Sequence, residues 1–324
     1  MTVFLSILGG LVLLIAGGEL LVRGAVQAAT ILRVSPLVIG LTLVGFGTST
    51  PELVTSIQAS LAGAPAIAVG NIVGSNIANI LLIIGAAALL KPIAVSSAAL
   101  KRDGGVMLGT AVLFAVLCWF FVIDRLVGGA FVLALAGYVV FSFMQERQAV
   151  PDHGAAYDKG EAARSVDPGL TPAPGGSLPI AILIAIAGLV LVVFGGRFLV
   201  DGATALARDF GISEAVIGLT IVAIGTSMPE LVTSIVAAIR GQSDVAFGNI
   251  IGSNIYNILG IGGITAIVSP LEVPEQIRTF DNPYMIAATV LFVAFAWTGM
   301  RVGRREGALL LACYGVYLFS LWPK

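Results

Sequence analysis

The chain has 324 residues, of which 58% are hydrophobic and only 11% are charged, and its mean hydropathy is +1.03. A soluble domain carries about 25% charged residues, so the composition excludes an ordinary soluble enzyme. Seventeen basic residues balance 18 acidic ones, which excludes the basic surface of a nucleic-acid binder and the high net charge of a disordered chain. The class that remains is a polytopic membrane protein.

Ten apolar segments, separated by Gly, Pro or charged residues, predict an all-α membrane protein with ten transmembrane helices. The first segment continues past Glu19 and Arg23 without a cleavage signal, so it is interpreted as a span and not as a signal peptide. In chain order, the ten predicted spans cover residues 3–31, 36–61, 66–90, 103–123, 126–145, 179–207, 213–239, 244–268, 283–300 and 307–322.

The loops on the two sides of these spans differ in their content of Lys and Arg. One side holds 12 of these residues and the other side, which includes both termini, holds 5. The positive-inside rule therefore predicts that both termini lie outside the cell. Residues 147–178 are rich in Pro, Gly and charge, and they predict a flexible cytoplasmic linker between a first membrane unit, 1–146, and a second, 179–324.

The two halves of the chain are repeats of one another. Residues 38–85 align without a gap to residues 216–263, an offset of 178, and 31 of the 48 positions are identical. Each half contains five predicted spans, and because five is odd, the second half must enter the membrane with the opposite orientation. The sequence therefore predicts two inverted-topology five-helix repeats, an architecture of secondary transporters whose substrate site lies where the repeats meet.

Two acidic residues, Glu52 and Glu230, lie in the middle of apolar spans at matching positions of the repeats. A carboxylate at this depth costs about 2.5–3.5 kcal/mol on insertion scales. No Lys or Arg lies at that depth in either repeat, so the expected compensation is a bound cation or a proton. We therefore predict that the two glutamates are cation ligands.

The segments before these glutamates predict breaks in both helices. Pro51 and Pro229 remove backbone donors and disfavour helical geometry in the preceding residue, and unwound backbone at membrane depth is tolerated where it lines a cavity. Carbonyl and carboxylate oxygens are hard ligands that suit Ca²⁺ and Na⁺. The carbonyls expected to be freed are those of Gly45, Thr48, Ala223 and Thr226, and the hydroxyls beside the breaks are those of Ser49 and Ser227.

A second motif, GNxxGSNxxN, adds side-chain oxygen atoms in both repeats. Residues spaced four apart share one face of a helix, and this phase favours ligation for Ser75, Asn79, Ser253 and Asn257. For four further amides the sequence leaves interhelical packing and cation ligation equally open; these are Asn71, Asn76, Asn249 and Asn254. The glycines of the motif predict a close approach by another helix.

With these two motifs, the chain resembles the cation/calcium antiporter superfamily, and specifically its prokaryotic sodium/calcium exchangers. The matching segments are Gly47–Glu52 with Gly70–Asn79, and Gly225–Glu230 with Gly248–Asn257. The resemblance implies an antiporter in the prokaryotic inner membrane that exchanges Na⁺ for Ca²⁺ by alternating access. It implies no cofactor and no obligatory protein partner beyond the transported ions and the bilayer.

The resemblance also implies four cation positions between spans 2, 3, 7 and 8, with spans 1 and 6 sliding as a pair. A calcium site would comprise Glu52, Glu230 and the carbonyls of Thr48 and Thr226. Sodium sites would comprise the Gly45 carbonyl, Ser49 and Ser75 on one side, and the Ala223 carbonyl, Ser227 and Ser253 on the other. A middle position would lie near Asn79 and Asn257.

The residue at position 257 bears on the ions that are exchanged. Some relatives, including potassium-dependent ones, carry Asp where this chain has Asn257, so the resemblance argues against a potassium requirement. The family implies three Na⁺ for one Ca²⁺, which would move one net charge in each cycle.

Three other functions remain as alternatives. An antiporter driven by protons would keep the fold, but proton-coupled relatives have Asn where this chain has Pro51 and Pro229. A cation channel fits a broken and occludable site less well. An intramembrane hydrolase using Ser49 or Ser227 would lack a base, because the one histidine, His153, lies in the linker, and the chain is therefore not expected to be an enzyme.

Overall fold

Helices form almost all of the secondary structure in the computed structural model of the protein. The structure describes residues 2–33, 45–97, 100–120, 122–146, 159 and 177–321. In the first half, the helices are α1 (Thr2–Ile31), α2 (Gly45–Thr48), α3 (Thr50–Leu61), α4 (Pro65–Leu90), α5 (Leu100–Phe120) and α6 (Arg125–Glu146). In the second half, they are α7 (Leu178–Phe210), α8 (Glu214–Thr226), α9 (Met228–Arg240), α10 (243–268), α11 (Ile277–Gly299) and α12 (Arg304–Leu321).

Seven helices of the described ranges are long and apolar enough to cross a membrane, and there are eight if the bent pair α8 and α9 forms one span. These helices agree with the predicted spans to within a few residues, except that α11 begins six residues before its predicted start at 283. The predicted span 36–61 is described only from Gly45 onward, and residues 34–44 lie outside the described ranges. Ten spans with inverted topology therefore stay a prediction.

Burial divides the helices into a central and an outer group. The membrane-length windows of α4 and α10 are 83% and 89% buried, whereas those of the other candidate spans are 22–39% buried. The outer helices present large apolar side chains on the surface, among them Leu126, Leu133 and Leu183. An apolar surface of this extent is typical of a protein surrounded by lipid, and it places α4 and α10, which carry the second motif, at the centre.

Local structure recurs at the offset of 178 residues. Two π-helical segments, Asn79–Ile84 and Tyr256–Gly262, interrupt α4 and α10 directly after the second motif. Strand β1 (Ile93–Ala94) pairs antiparallel with strand β2 (Arg301–Val302), and Ile123 forms an isolated antiparallel bridge with Leu271. Because Leu271 and Arg301 lie 178 residues after Ile93 and Ile123, both pairings join equivalent segments of the two halves.

A line of glycines brings α1 and α7 into close contact. Cβ atoms built on Gly10, Gly17 and Gly24 would lie 2.4–2.7 Å from backbone nitrogens of α7. From α7, a Cβ atom on Gly188 would lie 2.2 Å from the Leu21 nitrogen, and one on Gly195 would lie 2.7 Å from the nitrogen of Leu14. Small residues allow such close packing of membrane helices, so α1 and α7 form one tightly joined pair.

The central helices use the same principle at the predicted glycines of the second motif. A Cβ atom on Gly70 would lie 2.8 Å from the Ala215 carbonyl oxygen, and one on Gly74 would lie 2.5 Å from that of Leu219. The predicted close approach is therefore confirmed for these two glycines. It places α8 directly against α4, so the segment that leads to Glu230 lies beside the second motif of the first half.

We expect Gly188→Ala to destabilise the protein by about 1–3 kcal/mol, because overpacking forces the backbones apart. Gly9→Ala is the matched control, because a Cβ atom there meets nothing within 4 Å. Thermal unfolding in detergent measures both variants. Equal melting temperatures for the two variants would contradict the importance of the glycine contact.

Candidate cation site

Both helices that carry a glutamate break where the sequence predicts. Helix α2 ends at Thr48 and α3 begins at Thr50, and the intervening Ser49 has φ −91° and ψ 10°. In the second half, α8 ends at Thr226 and α9 begins at Met228, with Ser227 at φ −81° and ψ 10° and a bend of 49° between the two helices. The proline after each break lacks the N–H that would continue the helix.

The two breaks place Glu52 and Glu230 in the first turns of α3 and α9. The two residues are 2% and 1% exposed. A helix N-terminus favours negative charge through its unsatisfied N–H groups and its dipole. Each break therefore creates a local environment in which a buried carboxylate is less costly than in a continuous helix.

Each glutamate lies close to the serine of the opposite half. The Ser49 hydroxyl donates a hydrogen bond of 3.2 Å to Glu230 Oε1, and Ser227 lies against the Glu52 side chain. Glu52 also lies near enough to Glu230 for their charges to interact. The two breaks therefore face each other and form one site, which is contributed equally by the two halves.

Several buried polar atoms around this site have no hydrogen-bond partner among the described residues. A buried polar atom without a partner costs free energy, and an ion or water normally satisfies it. The oxygen atoms of this kind are Glu52 Oε2, Glu230 Oε2, Ser75 Oγ, Ser227 Oγ, Asn79 Oδ1 and Asn257 Oδ1. All six belong to residues that the sequence predicts as ligands, and as hard oxygen atoms they suit Ca²⁺ and Na⁺.

Two of the amides that the sequence left open connect helices. Asn71 donates to the Glu52 carbonyl at 3.2 Å and to Ser56 Oγ at 2.9 Å, while its own Oδ1 accepts a hydrogen bond of 3.1 Å from Thr226. Asn249 donates in the same way to the Glu230 carbonyl at 3.4 Å and to Ser234 Oγ at 2.8 Å. These bonds hold the second motif against the glutamate-bearing helices.

The two remaining amides lie deeper in the central helices. Asn257 Nδ2 lies 3.4 Å from Asn76 Oδ1 and donates to it across the two halves. Asn254 donates to the Ile250 carbonyl of its own helix at 2.7 Å. Asn76 therefore orients the predicted ligand Asn257, whereas Asn254 bonds its own helix.

The backbone positions that the sequence predicts as ligands differ from expectation at one residue. The Ala223 carbonyl is not freed by the break, because it accepts the N–H of Ser227 at 3.0 Å. The serine adopts a helix-like conformation, so the turn closes before Pro229 interrupts the helix. Gly45 and Thr48 lie at the two ends of α2, and Thr226 forms the last residue of α8. Their roles as carbonyl ligands stay predictions.

A lysine from the linker supplies a positive charge that the sequence did not predict at this depth. Lys159 is fully buried, and its Nζ lies 3.1 Å from Glu230 Oε1 and 2.5 Å from Ser253 Oγ. The two repeats indeed contain no lysine at this depth, but the segment between them does contribute one. Helical periodicity could not have indicated it, because a linker has no face that points toward the site.

Two further buried carboxylates also escaped the sequence analysis. Asp103 accepts a hydrogen bond of 3.2 Å from the Tyr138 hydroxyl, and Arg102 lies 2.9 Å from the same carboxylate. Asp281 accepts a hydrogen bond of 2.8 Å from Tyr317. The two aspartates are 178 residues apart, so extension of the repeat alignment beyond Gly263 would have revealed them. Each joins the start of one outer helix to the next helix of its own half.

Comparisons with known proteins agree with this arrangement. The sodium/calcium exchanger MaX1 of Methanosarcina acetivorans is 39% identical over 98% of both chains, and the inner membrane protein YrbG of Escherichia coli is 37% identical over 97% of this chain and 94% of its own. A solved structure of the sodium-calcium exchanger NCX_Mj, soaked with Na⁺ and Ca²⁺, superimposes with a TM-score of 0.63 and 31% identity, covering 100% of this chain and 99% of that one.

A family profile described as sodium/calcium exchanger protein matches the chain twice, over residues 2–144 and 180–322. The two matches start 178 residues apart, which is the offset of the sequence repeat and of the two helix breaks. Together they cover nearly all of both halves and leave out the linker. The chain therefore belongs to the sodium/calcium exchanger family of membrane antiporters.

Proposed function

We propose that the protein is a secondary antiporter that exchanges three Na⁺ for one Ca²⁺ without a requirement for K⁺. The observation that carries the proposal is the pair of buried carboxylates, Glu52 and Glu230, each at a helix break and each with an unpartnered Oε2. The chemistry of these oxygens and their placement in a family of sodium/calcium exchangers support cation transport over any enzymatic role.

In this proposal, Ca²⁺ binds between the two glutamates with the carbonyls of Thr48 and Thr226. Flanking Na⁺ ions use hydroxyls on either side, with Ser49 and Ser75 in one group and Ser227 and Ser253 in the other. The Gly45 and Ala223 carbonyls complete these groups, and the Ala223 oxygen does so with its second lone pair. Asn79 and Asn257 form the middle position.

The charge balance explains why the two ions compete for the site. Two carboxylates and one Ca²⁺ sum to zero, whereas two carboxylates and three Na⁺ sum to plus one. No further acid is available at Asn257 to neutralise both loads at once. Exchange would therefore carry one net charge in each cycle, and this charge is worth about 2.3 kcal/mol per 100 mV of membrane potential.

Alternating access in this proposal uses the tight contact between α1 and α7. Leu11 and Val22 of α1 lie against the two helix breaks, because a Cβ atom on Gly225 or Gly47 would lie within 2.4 Å of these side chains. A sliding of the joined pair would therefore change the contacts at both breaks together. The ten-span topology with both termini outside, and the linker in the cytoplasm, is part of the same proposal.

We expect proteoliposomes loaded with Na⁺ to accumulate ⁴⁵Ca²⁺ when they are diluted into sodium-free buffer, and we expect Glu52→Gln and Glu230→Gln to abolish the uptake. The neutral amide keeps the size but loses the charge that binds the cation. Glu272→Gln is the matched control, because Glu272 is exposed. Uptake that follows a proton gradient and ignores Na⁺ would establish the proton-driven alternative, and full activity in either site variant would remove that residue as a ligand.

The membrane potential should alter the rate of exchange. With K⁺ gradients and valinomycin, a potential that is positive inside should accelerate Na⁺-driven ⁴⁵Ca²⁺ uptake, because each cycle would carry one net positive charge outward. The reverse potential should slow uptake. A rate that does not depend on the potential would contradict three-for-one exchange while leaving sodium coupling intact.

Asn79 and Asn71 should separate ion binding from stability. Both amide atoms of Asn79 are buried without a partner among the described residues, so Asn79→Ala should weaken the thermal stabilisation by Ca²⁺ or Na⁺ without lowering stability in ion-free buffer. Asn71→Ala should destabilise the ion-free protein by about 1–3 kcal/mol, because it leaves buried groups unpaired. Melting curves with and without each ion measure both effects, and equal behaviour of the two variants would contradict the assignment.

A further inference from the structure

The ammonium group of Lys159 lies among residues that we assign to the cation site. Its nitrogen lies 3.1 Å from Glu230 Oε1 and 2.5 Å from Ser253 Oγ, and the Ser49 hydroxyl donates to the same Glu230 oxygen. The side chain is 0% exposed. Glu230, Ser253 and Ser49 are all predicted ligands, so the ammonium lies where these groups would hold a transported cation.

A lysine is almost never fully buried unless its charge is paired. Transfer of an ammonium into a protein interior costs several kcal/mol, and only good geometry with hydrogen bonds offsets this cost. Glu230 and Ser253 supply both the charge and the bonds. The same oxygens cannot at once surround a metal cation and this nitrogen, so Lys159 and a transported ion exclude each other at Glu230.

The position of Lys159 in the chain allows it both to enter the site and to leave it. Thirteen residues separate it from Glu146 at the end of α6, and 18 separate it from Ser177 before α7. An extended chain spans about 3.3 Å per residue, so the shorter arm reaches about 43 Å. This length exceeds the roughly 30 Å thickness of the hydrocarbon core, so the tether does not fix Lys159 in the site.

We propose that Lys159 is a tethered competitor for the cation site, an ammonium carried by the linker that occupies the Glu230 side of the site until Ca²⁺ or Na⁺ displaces it. The inference rests on the proposed function, because it assumes that cations bind at Glu230. A site that is accessible for only a fraction of the time has an apparent dissociation constant raised by the inverse of that fraction. The lysine therefore lowers the apparent affinity for the transported cations.

Transport kinetics test this competition directly. Initial rates of Na⁺-driven ⁴⁵Ca²⁺ uptake are measured against Ca²⁺ concentration for the wild type, Lys159→Gln and Arg164→Gln. We expect Lys159→Gln to lower the KM for Ca²⁺ by about 3- to 10-fold, which corresponds to 70–90% occupancy of the site by lysine. Arg164→Gln removes the same charge from the same linker and should leave the KM unchanged. Equal KM values for Lys159→Gln and the wild type, or an equal fall in both variants, would overturn the proposal.

Chemical labelling tests it without transport. The purified protein is treated with sulfo-NHS-acetate, and acetylation of Lys159 is followed by peptide mass spectrometry, with the exposed Lys101 as internal standard. Without Ca²⁺ and Na⁺, Lys159 should react at least about tenfold more slowly than Lys101, and saturating Ca²⁺ should raise its rate to a similar value. In Glu230→Gln, Lys159 should react rapidly without Ca²⁺. Rapid labelling of the ion-free wild type, or labelling that Ca²⁺ does not change, would overturn the proposal.

The two measurements distinguish this inference from the proposed function. A wild type without Na⁺-driven uptake would contradict the proposed function, and the labelling would then decide the position of Lys159 alone. A wild type that transports, together with an unchanged KM in Lys159→Gln, would contradict only the competition.

Discussion

The architecture of this protein depends on placing two carboxylates in an apolar interior. Each such group costs about 2.5–3.5 kcal/mol at mid-membrane depth, and the chain reduces the cost locally by ending one helix and starting another directly before each glutamate. The proline after the break removes a donor and the serine at the break turns the chain, so the first N–H groups of α3 and α9 face the carboxylates. Because Ser49 bonds Glu230 of the other half, neither half could complete the site alone.

The glycine contacts follow from the same requirement. A site made by two halves needs helices that cross closely enough for hydroxyls and amides to reach across, and Gly70 and Gly74 bring α4 against α8 for this purpose. The contact between α1 and α7 has a different consequence. In lipid, helices gain little from hydrophobic burial, so close van der Waals contact is what joins them. The pair is thereby stiff, and its side chains Leu11 and Val22 lie against both breaks.

Much of this could be predicted from the sequence because it is local. Apolar length indicates helices, Gly and Pro indicate the breaks at Ser49 and Ser227, and the scarcity of charge makes Glu52 and Glu230 conspicuous. The pairing of Ser49 with Glu230 could not be predicted, since a motif shows which residues share a helix and not which residue of another helix they face. Asp103 and Asp281 lay within reach of the repeat alignment, but the alignment was not extended to their segments. The Ala223 carbonyl failed the expectation for a geometric reason: Ser227 keeps a nearly helical turn, and its N–H remains available to bond it.

Lys159 breaks the equivalence of the two halves. The breaks, the motifs and the π-helical segments all recur at an offset of 178 residues, so on their own they would make Glu52 and Glu230 equivalent. The linker occurs once, and its lysine pairs with Glu230 Oε1, which also accepts the Ser49 hydroxyl, while Glu230 Oε2 and Glu52 Oε2 remain without partners among the described residues. A cation that approaches the site therefore meets one carboxylate oxygen already neutralised and two oxygens that are not. Binding at the Glu52 side needs no displacement of the ammonium, whereas binding at Glu230 does. A site of two equivalent glutamates thus becomes one with two different affinities, through a single residue outside both repeats.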